Sequence, residues 1–321
     1  MEYDFSKALI RCSSLYYIVC PGKTKTPKQQ YEYTEQVLKE EMQKYDDLGE
    51  RKQGMANGLK KAAKIAGLEY ELNRLESTKH LDPLPTSAKS YLKRLYGELK
   101  YNKQSSFKDK GNKYTNKGKQ VQTAAVQLIS SLDGCEYIEN EERLTNGLIT
   151  GIPDAFLGES IMNADYVPDV KGSWDWDSFS ENIDKALNPL YWWQLQGYFE
   201  LTGAKEGDIS YCLISIPDNM LQDEIYSLQN RMQKQSNLID VTITQEYKIA
   251  EAALIKNLTF DEMDEKERRL KFKVQKDDGA ILKAYETIPK CRDYLFEVQE
   301  KHLMGVFSDK ELPMLESIEE I

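Results

Sequence analysis

The chain has 321 residues and a net charge of −10, with 43 basic against 53 acidic side chains, so it is long enough to bury a sizeable core but too acidic for a general nucleic-acid coat. It contains no run of about 18 apolar residues and no N-terminal basic region followed by an apolar stretch, so a cytoplasmic protein without a membrane span or signal peptide is expected. Five scattered cysteines form no C-x-x-C pair, and His80 and His302 have no partner at ligand spacing, which argues against zinc and against a Cys/His nucleophile.

Residues 29–76 are rich in Glu, Lys, Leu and Ala and lack proline; they read as one or two helices broken near Gly49 or Gly54. Asp82-Pro83-Leu84-Pro85 reads as a linker, after which Thr86 or Ser87 can cap a helix. From Lys93 to Lys119 nine basic residues face two acidic ones, a local charge of +7 that leaves −17 for the remainder. Tyr96, Tyr101, Phe107 and Tyr114 are interleaved there, so the segment suits a nucleic-acid backbone, with Lys110, Lys113 and Lys117 as candidate DNA contacts. The plainer alternative is a solvated lysine-rich loop.

Val121, Ala125, Leu128 and Leu132 recur at helical spacing and predict a core helix, followed by a strand around residues 135–144. Asp154 follows Gly151-Ile152-Pro153, and Asp169-Val170-Lys171 comes fifteen residues later, across a Gly/Ser/Asn-bearing turn. A hairpin folded near Ile161 and Met162 pairs residues whose numbers sum to about 323, which sets Asp154 opposite Asp169, roughly 4.5–5.5 Å apart at Cβ. The strand period of two puts Lys171 on the face of Asp169. Two carboxylates and an ammonium at one spot suit phosphodiester hydrolysis: Asp154 and Asp169 offer hard oxygen ligands to Mg²⁺, with Mn²⁺ as a substitute and the Val170 carbonyl as a further ligand. Lys171 would neutralise charge growing on the phosphate. A surface hairpin with a Lys171 ion pair is the bland alternative.

Pro189 to Gly203 reads as a helix that places Gln194 and Tyr198, four residues apart, on one face toward DNA; its tryptophans read as core. Residues 208–216 read as a buried strand, 218–270 as charged helices, 270–274 as a late or edge strand, and the acidic tail after Asp309 as mobile.

In their order, GIPD (Asp154), DVK (Asp169, Lys171) and QLQGY (Gln194, Tyr198) resemble the PD-(D/E)XK nuclease superfamily, and within it the phage recombination exonucleases: the YqaJ-like viral recombinases, lambda exonuclease and the RecB-type nuclease domain. The resemblance is strongest over residues 115–220. It implies an α/β, restriction-endonuclease-like core of order αβββαβ, a central mixed sheet flanked by helices. Residues 1–114 would form a helical N-terminal extension and 221–321 a helical and strand C-terminal extension. It also implies a DNA exonuclease of recombination or replication, DNA as partner, a ring-forming homo-oligomer, and a single-strand annealing protein that receives the product strand. Arg11 and Ser13, in Arg11-Cys12-Ser13-Ser14, are similar to the element that contacts a terminal phosphate. The family's iron–sulfur nucleases carry a C-terminal cysteine cluster, and here only Cys291 lies in the last hundred residues, so no cluster is expected.

One position departs from the pattern. Where the first core helix of the family carries a metal-binding Glu, this chain has Gln122. The site then uses one metal, draws on another carboxylate such as Glu142, or is impaired, which leaves a DNA-binding or assembly protein on a nuclease fold as the alternative. An endonuclease of the same superfamily remains a third.

Overall fold

The computed structural model describes residues 3–20, 25–80, 83–103, 112–236 and 240–307. The chain divides into two compact units, one of Met1–Tyr16 with Arg94–Arg292, the other of Tyr17–Lys93 with Asp293–Ile321. The boundaries expected at 114/115 and 220/221 therefore both fall inside the first unit. The reason is pairing: residues before 20 and after 260 both supply strands to the sheets of that unit.

In the second unit, helix Pro27–Asp46 starts at a Thr26–Gln29 capping box with Pro27 in its first turn, and it packs on helix Ala56–Glu76. The break between them holds the short helix Glu50–Gln53, entered through Gly49 at φ +70. Gly58 is needed in the second helix because a Cβ there would lie 2.2 Å from the Gln53 carbonyl oxygen.

Among the described residues the first unit contains three small sheets rather than the single central one expected. β1 (Ile10–Arg11) runs parallel to β4 (Ile149–Gly151), which pairs with β3 (Leu144–Thr145). β2 (Ile138–Glu139) pairs with β5 (Ala155–Phe156). β6 (Val167–Ser173), β7 (Glu206–Leu213) and β8 (Arg269–Gln275) form the longest sheet, in that order, β6 and β7 parallel and β8 antiparallel at the edge. The strand expected around 135–144 is cut short by Asn140. Its Nδ2 donates to the carbonyls of Glu142 and Pro153, each at 3.0 Å, taking up groups that a regular ladder would use.

Two of the helices that pack on the long sheet position the site. Gln122–Asp133 buries Ala125, Val126, Leu128 and Ile129 against Val170 and Cys212. Pro189–Thr202, the crossover between the parallel strands, buries residues all round, as an enclosed helix must. It is capped by the Asn188 side chain and ends at Gly203 with φ +79. Close approach is built in at Gly207, where a Cβ would lie 2.0 Å from the Val167 carbonyl oxygen. Among the described residues no helix is long and apolar enough to cross a membrane.

Candidate active site

β4 leads through Pro153 to Asp154, and the chain then folds back on itself. Leu157 bridges Tyr166 in antiparallel fashion, the register implied by the sequence, and Ile161–Asn163 form a 3₁₀ turn capped by Ser160. This brings Asp154 alongside β6, where its Oδ2 accepts the Val170 N–H at 3.0 Å. Asn140 fixes the backbone at this corner, its N–H donating to the Asp154 carbonyl at 3.1 Å. The Asp169 side chain is fully buried, and Lys171 Nζ lies 2.7 Å from its Oδ2. That contact is off the hydrogen-bonding direction, so Asp169 Oδ2 is a buried anionic oxygen with a charge neighbour but no hydrogen bond among the described residues. Gln194 Nε2 donates to the Tyr198 hydroxyl at 2.7 Å and reaches Asp169 Oδ1 at 3.4 Å.

The charges are strongly felt because the carboxylates are withdrawn from most of the screening by solvent. Burial, and next the charge of Asp169, push the Asp154 carboxyl up to about 7, against the opposing pull of Lys171 and the Val170 N–H. Burial works against the Lys171 ammonium, but the charges of Asp169 and Asp154 outweigh it and hold the group above its ordinary range.

Gln122, Asp154, Val170, Lys171, Tyr191 and Tyr211 line one cavity of about 600 Å³. Gln122 is the first residue of its helix and reaches the cavity as a neutral amide. Glu142 is exposed and does not line it. Among the described residues no group of three or more His, Cys, Asp or Glu side chains could hold a metal. The donors present are two carboxylates, one amide and backbone oxygen. That set, with the orphaned oxygen of Asp169, fits a hard divalent cation that keeps several waters rather than a fully caged one.

The other sequence candidates are placed differently from one another. Arg11, on β1 beside Thr150 of β4, ion-pairs with Glu98, and Ser13 is exposed on the following 3₁₀ turn. That turn packs tightly against the helix bearing Gln194: a Cβ on Gly197 would lie 2.7 Å from Cys12 Sγ. Lys113 is paired with Glu224 at 3.1 Å. Lys110 lies outside the described residues. Two expectations need correction. Lys117 does not present its charge to solvent: it is fully buried and donates to the carbonyls of Ser173 and Trp174, each at 2.8 Å. Tyr198 is 5% exposed, so it holds Gln194 rather than offering its phenol to DNA. Tyr191 escaped the sequence reading; its ring lies 4.8 Å below Lys171 Nζ. Its place three residues before Gln194, one turn back on the same helix, was the available signal.

No protein-family model matches the sequence, and no curated protein matches it. Solved structures do resemble it. A phage-related exonuclease from Haemophilus somnus 129PT aligns over 93% of this chain and 97% of its own, at TM-score 0.53 and 19% identity. An alkaline exonuclease from Laribacter hongkongensis aligns over 70% of this chain and 88% of its own, at TM-score 0.45 and 13% identity. The same Laribacter enzyme in complex with dAMP aligns over the same shares at TM-score 0.41. At the level of fold, then, the chain shares the architecture of the Haemophilus exonuclease, in keeping with the resemblance drawn from GIPD, DVK and QLQGY.

Proposed function

We propose that the chain is a Mg²⁺-dependent DNA exonuclease with a PD-(D/E)XK site, acting in phage recombination or replication. The observation that supports this most is the clustering of Asp154, buried Asp169 and Lys171 beside a cavity that Asp154 and Lys171 line, in a chain with the fold of a phage-related exonuclease.

Asp154, Asp169 and the Val170 carbonyl would hold the cation, which when bound polarises a phosphoryl oxygen and makes water a better nucleophile. Lys171 stays protonated beside the carboxylates and stabilises the charge that grows on the phosphate. Gln194 fixes the Asp169 carboxylate, Tyr198 fixes Gln194, and the Gln122 amide lines the wall. Arg11 and Ser13 take a terminal phosphate, Arg11 by exchanging its partner Glu98 for it. DNA is the partner, in the host cytoplasm, with a ring-shaped homo-oligomer and a single-strand annealing protein as companions. The test is digestion of end-labelled linear duplex in Mg²⁺, with EDTA and closed circular DNA as comparisons. Digestion of the linear form alone, stopped by EDTA, is expected; cutting of the circle makes it an endonuclease, and intact DNA throughout overturns the reading.

Gln122 supports a second reading, a DNA-binding or assembly protein whose site lacks one anionic ligand. Gln122→Glu separates the two. A large gain in turnover shows that the missing carboxylate limits catalysis, while an active wild type with little gain favours the first reading.

A further inference from the structure

The cavity lined by Asp154 and Lys171 has a second, aromatic end. Tyr114 and Trp174 both line it, their ring centroids 5.3 Å apart and their planes at 76°. Trp174 is 8% exposed and forms the floor, whereas Tyr114 is 54% exposed. In an edge-to-face pair at least one face of each ring is left clear of the other, so Tyr114 keeps a π-face that Trp174 does not cover, and Lys113 Nζ stands 5.7 Å from the centre of its ring as a cationic neighbour. The helix that carries it is held in place from below by buried Lys117 on the Ser173 and Trp174 carbonyls, and at its start by the Lys113–Glu224 ion pair. An exposed ring on a fixed support, inside a cleft, is a platform rather than a core residue.

The polar groups around it match the edges of a flat heterocycle. Asn112 and Asn188 each spend their side-chain oxygen on a backbone N–H, and Asn182 spends its Nδ2 on the carbonyls of Ser178 and Phe179. The other end of each amide has no partner among the described residues, and all three line the same cavity. Two NH2 groups and one carbonyl oxygen thus remain. Lys119 is exposed on the rim and has no ion pair among the described residues. The volume of about 600 Å³ is in the range of sites for small ligands.

We infer that Tyr114, backed by Trp174, stacks an unpaired nucleobase in the cavity that holds Asp154 and Lys171, so that the chain engages a nucleotide freed from its duplex partner. This rests on the nuclease reading and adds to it the side chain that receives the base next to Asp154 and Lys171. Stacking on an aromatic face tolerates every base, so the platform selects for the presence of a base and not for its identity.

The test uses the full chain in EDTA, where no strand is cut, with labelled oligothymidylate and an abasic oligomer of equal length, read by fluorescence anisotropy. Wild type is expected to bind oligothymidylate more tightly. Tyr114→Ala should lose about tenfold on that strand, the order of effect of one stacking ring, and leave the abasic strand unchanged. Tyr114→Phe, which keeps the ring, should bind as wild type does. Equal binding of both strands by wild type, or equal weakening of both in Tyr114→Ala, overturns the inference. So does unchanged binding with a lowered melting temperature, which would make Tyr114 a cover for Trp174. A wild type that digests linear duplex in Mg²⁺ yet makes no distinction between the strands overturns this inference alone; one that binds neither strand and digests nothing overturns the nuclease reading with it.

Discussion

Lys171 Nζ lies 2.7 Å from Asp169 Oδ2, and that oxygen has no hydrogen bond among the described residues. The ammonium thus neutralises a buried carboxylate oxygen, and a bound cation would share the Asp169 carboxylate with it. Asp169→Ala should abolish digestion of linear duplex in Mg²⁺ while DNA binding in EDTA persists. Lys171→Gln should lower kcat by about 10²–10³-fold, the usual effect of removing one group that stabilises developing charge. Single-turnover assays on labelled duplex measure both, and turnover at the wild-type rate by either variant would remove these residues from the chemistry.

Gln194 and Tyr198 give a prediction that separates positioning from DNA contact. Because the Tyr198 hydroxyl is buried and accepts from Gln194 at 2.7 Å, Tyr198→Phe removes that anchor without touching solvent. A lost neutral hydrogen bond is worth about 0.5–1.5 kcal/mol, so kcat should fall up to roughly tenfold. The affinity for DNA in EDTA should not change. A loss of affinity with unchanged kcat would return Tyr198 to the role first expected from the sequence.

The parts of the site that sequence revealed are those governed by local geometry. The period of two along β6 places Asp169 and Lys171 on one side, and the length of the turn fixes the partner of Asp154. The caps at Asn188 and Gly203 likewise lie within a residue of their helix. Burial set by distant chain is what remained hidden. Lys117 sits in a run of lysines and reads as solvated, yet its acceptors, Ser173 and Trp174, come 56 and 57 residues later. The break between Ile138–Glu139 and Leu144–Thr145 goes with Asn140 meeting Pro153, thirteen residues on, and the strand Ile10–Arg11 is too short to show a period at all.

A buried ionic cluster joins the C-terminal end of helix Gln122–Asp133 to the edge strand. Asp133 takes Arg269 and Lys271, each at 2.7 Å, and the Tyr137 hydroxyl at 2.9 Å. Burial pushes its carboxyl up, but the hydrogen bonds from Arg269, Lys271 and Tyr137 overcome this and hold it at about 2. The folded value is below the ordinary one of 3.8, so the group stabilises the fold above that pH and the contribution disappears as pH falls through about 2. Asp133→Asn should cost about 1–2 kcal/mol at neutral pH after allowance for solvent screening. Urea unfolding measured from pH 7 downward should show that difference shrinking below pH 4; a difference independent of pH would mean that packing, not charge, accounts for it.

Lys117 carries the opposite sign. Burial pulls its ammonium down to about 8, only partly offset by the charge of Asp175. The neutral amine still has two N–H groups, which match its two carbonyl acceptors, so losing the proton breaks neither bond. Below about pH 8 both folded and unfolded chains hold the proton. Between 8 and the ordinary 10.5 the unfolded chain holds it and the folded one does not, so this group adds stability as pH rises through that window. Buried tyrosines such as Tyr211, pushed up to about 12 by burial, and next by Tyr191, act the other way near pH 10 and above. The measurement is therefore a difference, wild type minus Lys117→Met, followed by urea unfolding from pH 7 to 10. Lys117→Met should be less stable throughout, having lost two hydrogen bonds from a buried group worth about 1–3 kcal/mol. The gap should widen with rising pH. A constant gap would mean that the Lys117 ammonium keeps its ordinary proton affinity inside the fold.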